Sequence, residues 1–228
     1  MAEIEQRMSS AMVSRVLLVE TWSGRNRRLL QDSLSRRQTS KFPVALCYRQ
    51  ETSCELRELI LAGKLAAVRM ATADMQRDWD FCRDISRSHA WLLAHAEDGI
   101  GPLSSEVTRL YESFPEVRFY VPHLAWPMRD GALDPAWEWA VKQLAQIPSV
   151  LAGISAIAHF SKQPFPHSDV RELALRFLSQ FPASRIAIGS DYPLFEKERY
   201  ADYIRLAHSW VTAVHPRWTD HVTFEGSN

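Results

Sequence analysis

Glycine is scarce in this chain, eight in 228 residues, and none falls in a GxGxxG or GxxxxGK[ST] spacing. The backbone cradles that hold dinucleotide or nucleotide phosphates are therefore missing. Cysteine is scarcer still. Cys47, Cys54 and Cys82 are an odd number without CxxC spacing, which argues against a disulfide framework and fits a reducing compartment. Net charge is absent, with 27 Lys and Arg against 27 Asp and Glu. A balanced surface removes the broad electrostatic pull toward nucleic acid or an anionic membrane. No apolar run reaches the roughly 18 residues that cross a bilayer. The first dozen residues carry Glu3, Glu5 and Arg7 where a signal peptide needs an apolar stretch. These absences lead us to expect a cytoplasmic protein with one domain over 1–228 and with neither nucleic acid nor membrane as partner.

What is present is a recurrence. Short runs rich in β-forming residues start at Val16, Phe42, Leu65, Ala90, Val117, Val150 and Arg185, so the steps are 26, 23, 25, 27, 33 and 35 residues. Each step is the length of one strand plus a crossover helix. The segments between carry helix signals. Asp134-Pro135 sets a start before Trp137, Ser168 precedes a run ending near Gln180, and Gly63 follows the face of Leu56, Leu59 and Ile60 as a stop. Ala2 to Met12 reads as a short helix. Most strand runs are apolar nearly throughout, as parallel strands covered by helices require.

Two α/β architectures compete, the doubly wound open sheet and the (β/α)8 barrel. The missing phosphate loops weaken the first. The second gathers its chemistry at the C-terminal ends of its strands, and here those ends carry Glu20, Arg69, His95, His123, Ser155 and Asp191. We therefore expect a TIM-barrel-like fold, incomplete, with about seven βα units. Its unpaired edge at Val16 to Glu20 suggests a homodimer that covers it.

His95 closes Trp91-Leu92-Leu93-Ala94, His123 closes Phe119-Tyr120-Val121-Pro122, and Asp191 follows Ile186-Ala187-Ile188-Gly189-Ser190. Two imidazoles and a carboxylate at equivalent places in a repeat can bind a divalent metal, zinc or manganese, and the Asp can take a proton from water. Arg69 can hold a substrate carboxylate or close a salt bridge at the rim. Trp126 follows His123 in one loop and is the aromatic residue best placed to line a substrate pocket, whereas Trp137 and Trp139 read as helix packing.

These residues carry a resemblance. Gly189-Ser190-Asp191-Tyr192-Pro193, with Phe181-Pro182-Ala183-Ser184-Arg185 ahead of it, resembles the last-strand signature of the amidohydrolase superfamily, in its amidohydrolase-related group. Val121 to Pro127 is similar to that group's sixth-strand His motif and Leu93-Ala94-His95 to its fifth. Gly63 to Arg69 is similar to its fourth, with Ala67 at the second Gly. Ser155 stands at the seventh-strand place, and Phe224 to Asn228 looks like the opening of its closing segment. The resemblance implies a hydrolase of small, carboxylated or cyclic substrates, with Asp191 as general base and His123 or His95 stabilising charge on oxygen. The implied metal ligands are His95, His123 and Asp191, and the implied substrate contacts are Arg69, Trp126, Ser155 and Tyr192. Decarboxylation is the alternative reaction, and a non-catalytic remnant or a fragment of a longer product is the reading from another class. Members of the group begin with a strand ending in His-x-His, yet the histidines here are at 89, 95, 123, 159, 167, 208, 215 and 221, with no pair two apart.

The remaining signals read plainly. Arg25, Arg27, Arg28, Arg36, Arg37 and Lys41 make a solvated basic stretch, and His159 and His167 sit in a Pro-rich connection. No GxSxG elbow is present, Ser155 and His159 form only a loose pair, and the cysteines read as buried packing.

Overall fold

The computed structural model describes residues 2–35, 42–193 and 199–218. Nine strands are β1 (Leu18–Val19), β2 (Val44–Cys47), β3 (Ala67–Ala71), β4 (Trp91–His95), β5 (Arg118–Val121), β6 (Met128–Arg129), β7 (Ala132–Leu133), β8 (Val150–Ile154) and β9 (Ile186–Ile188). Ten helices are α1 (Ala2–Ser10), α2 (Arg27–Ser35), α3 (Ser53–Leu61), α4 (Thr72–Arg77), α5 (Trp79–Ser86), α6 (Ile100–Ser113), α7 (Trp137–Gln146), α8 (Ile157–Phe160), α9 (Arg171–Leu178) and α10 (Tyr200–Val214). Seven strands pair in parallel in the order β1-β2-β3-β4-β5-β8-β9 and curl into a half-barrel, an incomplete TIM-barrel architecture. All seven expected strands are present in that order.

Two apolar layers divide the work of burial. Outward-facing side chains such as Val44, Leu46, Val68, Leu92, Phe119 and Ile154 merge with the helix faces in one large core. Inward-facing Ala45, Ala67, Leu93, Tyr120, Leu151 and Ala187, one from each strand between β2 and β9, fill the concave side as a separate cluster. This inner layer is a floor. The next inward residues along the strands, two positions on, are Arg69 on β3 and His95 on β4, so the sheet's period of two lifts them onto its mouth.

β1 and β9 are the open edges. Across the seam between them lies α1, whose Ile4 and Met8, with Ala11 just beyond its end, pack with Val16 and Leu18 at β1, with Phe42, and with Tyr192, Tyr200 and Ile204 on the β9 side. The chain's own helix thus packs beside the edge for which a second subunit was expected, and β1 there is half-buried. The antiparallel β6–β7 hairpin was not foreseen, although its Asp130-Gly131 turn, with φ of 52° and 78°, is a standard hairpin signal. Trp137 is buried, whereas Trp139 is 54% exposed and does not pack as expected. Cys54 is also exposed, while Cys47 and Cys82 are buried. Arg27 pairs with Glu20 and Glu55. Arg36, Arg37, Lys41, His221 and the segment Phe224 to Asn228 lie outside the described residues.

Gly153 permits the floor to close. A methyl group there would meet the Tyr120 hydroxyl at 2.6 Å and the Pro122 backbone at 2.8 Å. Gly153→Ala is expected to cost roughly 1–3 kcal/mol of stability through overpacking, read as a lower denaturant midpoint at unchanged slope.

Candidate active site

Three strands hand over to the mouth through left-handed backbone. His123, Leu124, Ala125 and Trp126 form a complete left-handed turn, with φ of 58°, 53°, 55° and 52°. Each such residue costs roughly 1–2 kcal/mol, so the turn must be held from outside. Its own bonds, Ala125 N to Pro122 O at 3.1 Å and Trp126 N to His123 O at 2.9 Å, are supplemented by the buried Trp137 indole donating to Leu124 O at 2.8 Å. Ala156 after β8 and Asp191 after β9 also have positive φ, 53° and 57°. Gly189 is needed beside them because a Cβ there would stand 2.9 Å from the Ser155 Cβ.

Arg69 lies at the centre. Its Nη2 is 3.2 Å from His95 Nδ1, its Nη1 reaches the Glu20 carbonyl at 3.4 Å, and the group stacks 4.7 Å from the Trp22 ring. Its Nε is buried without a partner, and no carboxylate forms an ion pair with it among the described residues. The rim salt bridge is therefore not its role. His95 sits between two indoles, Trp22 at 4.8 Å and Trp126 at 4.7 Å, and Trp126 also meets His123 edge-on at 4.6 Å. Ser155 Oγ is 2.8 Å from His123 Nδ1 and accepts the His123 backbone N–H at 3.1 Å. The Asp191 carboxylate makes no hydrogen bond or ion pair among the described residues. It feels Arg69 and His159 through their fields.

Burial dominates the electrostatics. It pushes Asp191 above the usual carboxylate range, with Arg69 and then His159 pulling the other way. It lowers His95 to about 4, helped by Arg69, and His123 to about 3, helped by Arg69, His95 and His159. Burial also lowers Arg69 itself. Both imidazoles are neutral at pH 7, so each ring has one donor and one acceptor nitrogen.

At His95 the partner decides which is which. Arginine only donates, so His95 Nδ1 accepts and its Nε2 carries the hydrogen. Ser155 Oγ accepts the His123 backbone N–H and lies within hydrogen-bond distance of its Nδ1, so this serine fixes the ring's orientation. A metal ligand needs a lone pair at the nitrogen facing the ion. The His95 ring presents an N–H, a guanidinium stands beside it, and no group of three or more His, Cys, Asp or Glu among the described residues is arranged to hold a metal ion. The expected ligand set of His95, His123 and Asp191 is therefore not arranged as a metal-binding cluster among the described residues, and the His95 Nδ1 lone pair is already engaged by Arg69.

Of the expected site residues, the structure gathers Arg69, His95, His123, Trp126, Ser155 and Asp191 at one mouth. It does not bring in Tyr192, whose hydroxyl donates to Glu3 Oε1 at 2.7 Å on the seam side. Glu20 is consumed structurally, accepting the Cys47 N–H at 2.8 Å and pairing with Arg49 at 2.8 Å. Ser155 engages His123 and makes no bond to His159. His167 is a packing residue that bonds Tyr203 at 3.1 Å. Trp22 and His159 were missed. Trp22 follows a strand end as Trp126 does, and that positional parallel is the signal that would have found it. His159 lines a cavity of about 510 Å³ between the β6–β7 hairpin and α8, with Asp130, Leu133 and Lys162 on its walls.

With this geometry in view, the comparisons identify the family. A family model described as Amidohydrolase matches residues 23–209, and the chain belongs to that family. No curated protein sequence matches it. Among solved structures, a probable 2-pyrone-4,6-dicarboxylic acid hydrolase from Acinetobacter baumannii with citric acid bound superposes at TM-score 0.74 and 16% identity, over 94% of this chain and 82% of that one. An amidohydrolase from Burkholderia multivorans with bound zinc gives 0.71 and 17%, over 96% and 82%. A 2,6-dihydroxybenzoate decarboxylase complexed with 2,6-dihydroxybenzoate gives 0.59 and 9%, over 92% and 84%. At these identities the likeness is one of fold. No described helix is long and apolar enough to cross a membrane.

The histidine shifts carry a sign. Both folded values lie below the ordinary 6.5, so between there and about 4 the unfolded chain binds more protons and stability falls as pH drops. Asp191, shifted upward, opposes this at the acid end. Denaturant midpoints measured from pH 7 to 4.5 should decline more steeply in the parent than in a His95→Gln/His123→Asn variant.

Proposed function

We propose that the chain hydrolyses a small substrate that carries a carboxylate, without a metal cofactor. The observation that carries this reading is Arg69, a part-buried cation whose Nε is buried without a partner and which has no carboxylate in ion-pair contact, set beside two imidazoles and the Asp191 carboxylate whose charge it feels. A part-buried charge of this kind is costly until an anion pairs with it, and a planar guanidinium matches a carboxylate in bidentate fashion. Arg69 holds the substrate carboxylate. The Asp191 carboxylate takes a proton from water as the water oxygen bonds to the acyl carbon. The Nε2–H of His95 and the ring N–H of His123 donate to the oxyanion that forms. When the bond to the leaving oxygen or nitrogen breaks, that atom recovers the proton from Asp191, and the carboxylate is restored. Burial suits Asp191 to both steps by raising its basicity toward neutrality. Trp22 and Trp126 supply flat apolar walls for a cyclic substrate. The carboxylic acids held by the Acinetobacter and decarboxylase structures support this class of ligand.

The test is a panel of lactones and cyclic amides, each with and without a carboxylate, run in ¹⁸O-labelled water. Label in the product acid, with kcat lower by about 10²-fold or more in Asp191→Asn and KM raised at least about tenfold in Arg69→Met, is the expected outcome. Carbon dioxide release without label would transfer the site to the decarboxylase reading. Prolonged dialysis against a chelator should leave kcat/KM unchanged, and restoration of lost activity by added zinc would overturn the metal-free assignment.

A further inference from the structure

Asp191 is poorly secured by its own strand. β9 ends at Ile188, Asp191 takes a left-handed φ of 57°, and its carboxylate has no hydrogen-bond partner among the described residues. The residue after it is held from elsewhere. Tyr192 donates its hydroxyl to Glu3 Oε1 at 2.7 Å, lies 5.2 Å beneath the Arg7 guanidinium, and meets the Tyr200 ring edge-on at 5.8 Å. Glu3 and Arg7 are one turn apart on α1 and bonded to each other at 3.1 Å, so the helix presents them as one unit. That helix is anchored by Met8, which is 1% exposed against Phe42 and Tyr200.

We infer that α1 is a positioning element of the active site, clamping Asp191 through Tyr192 across the seam between β1 and β9. The inference rests on the reading of Asp191 as general base. In a sheet whose edge strands paired with each other, the β9 end would be braced by a neighbouring ladder; here the brace is a helix that reaches it with two side chains. The contacts are solvent-exposed, so they add little to global stability. A displacement of about 1 Å at a catalytic group can nonetheless cost about 10²-fold in rate. Glu3, Arg7 and Tyr192 are therefore positioning residues whose effect appears in kcat far more than in folding.

The test uses the full chain with Glu3→Ala, Tyr192→Phe and the conservative Glu3→Gln, which keeps an acceptor for the tyrosine hydroxyl. Removing α1 outright would expose the Met8 pocket and confound folding, so point variants are the sharper probe. Hydrogen exchange at the amides of residues 189–192, measured without substrate, should accelerate at least about tenfold in Glu3→Ala and Tyr192→Phe, and kcat should drop about tenfold with KM unchanged. Glu3→Gln should recover most of both. Unchanged exchange and unchanged kcat in both variants would overturn the inference while leaving an Asp191-dependent hydrolase intact. Accelerated exchange in a protein that hydrolyses no member of the panel would support the clamp and sink the base assignment instead.

Discussion

A part-buried guanidinium with no carboxylate in ion-pair contact sets the character of the whole mouth of this half-barrel. Arg69 is lifted there by the period of β3, lies over the Trp22 ring, and donates to His95. Its field acts on His95, His123, Asp191 and Cys47 alike. Burial keeps both imidazoles neutral with the cation's help, and the cation tempers the rise that burial imposes on Asp191. It leaves the Cys47 thiol, raised by burial to about 11 despite Arg69, as an inert packing group. In a site built around a metal the ion supplies the positive charge and imidazole lone pairs face it. Here Arg69 sets a fixed positive charge at the mouth, and its donation to His95 Nδ1 leaves that ring's hydrogen on Nε2.

The strain at the mouth has a matching logic. A left-handed turn of four non-glycine residues is unfavourable wherever the chain is free to relax. Here the Trp137 indole holds Leu124 O from behind, while Ser155 fastens His123 in front through both its backbone and its ring. Residues from two βα units thus fix one histidine, and the turn swings Trp126 back against both imidazoles. The floor beneath, with Tyr120 packed against Gly153, is close enough that none of these groups can sink into the sheet. Strain is concentrated where side chains must be aimed, and the buried layers on either side of the sheet sustain it.

Much of this was open to reading along the chain. Runs of apolar β-formers at steps of 23 to 35 residues dictate parallel strands with crossover helices, because strands covered on both faces can afford almost no polar residue. His95, His123 and Asp191 announced themselves by closing such runs, and period-two geometry makes a strand end a mouth position. The amidohydrolase likeness was carried by local motifs, chiefly Gly189 to Pro193. Trp22 and His159 escaped because a loop residue earns its place only through what the fold sets opposite it. The β6–β7 hairpin escaped because two-residue strands carry no periodicity, and Tyr192 was misplaced because the turn hides which way a ring leaves the chain.

By itself, then, the sequence determined the order of elements, their parallel pairing and the residues at the strand ends, since these depend on neighbours within a few positions. Tertiary structure decided the rest. It left Arg69 without a carboxylate in ion-pair contact, set a guanidinium against His95 Nδ1 and a hydroxyl against His123 Nδ1, and laid α1 over the seam beside Asp191. Charge compensation, tautomer and bracing depend on groups 26 to 189 positions apart, and no local pattern records which of them will meet.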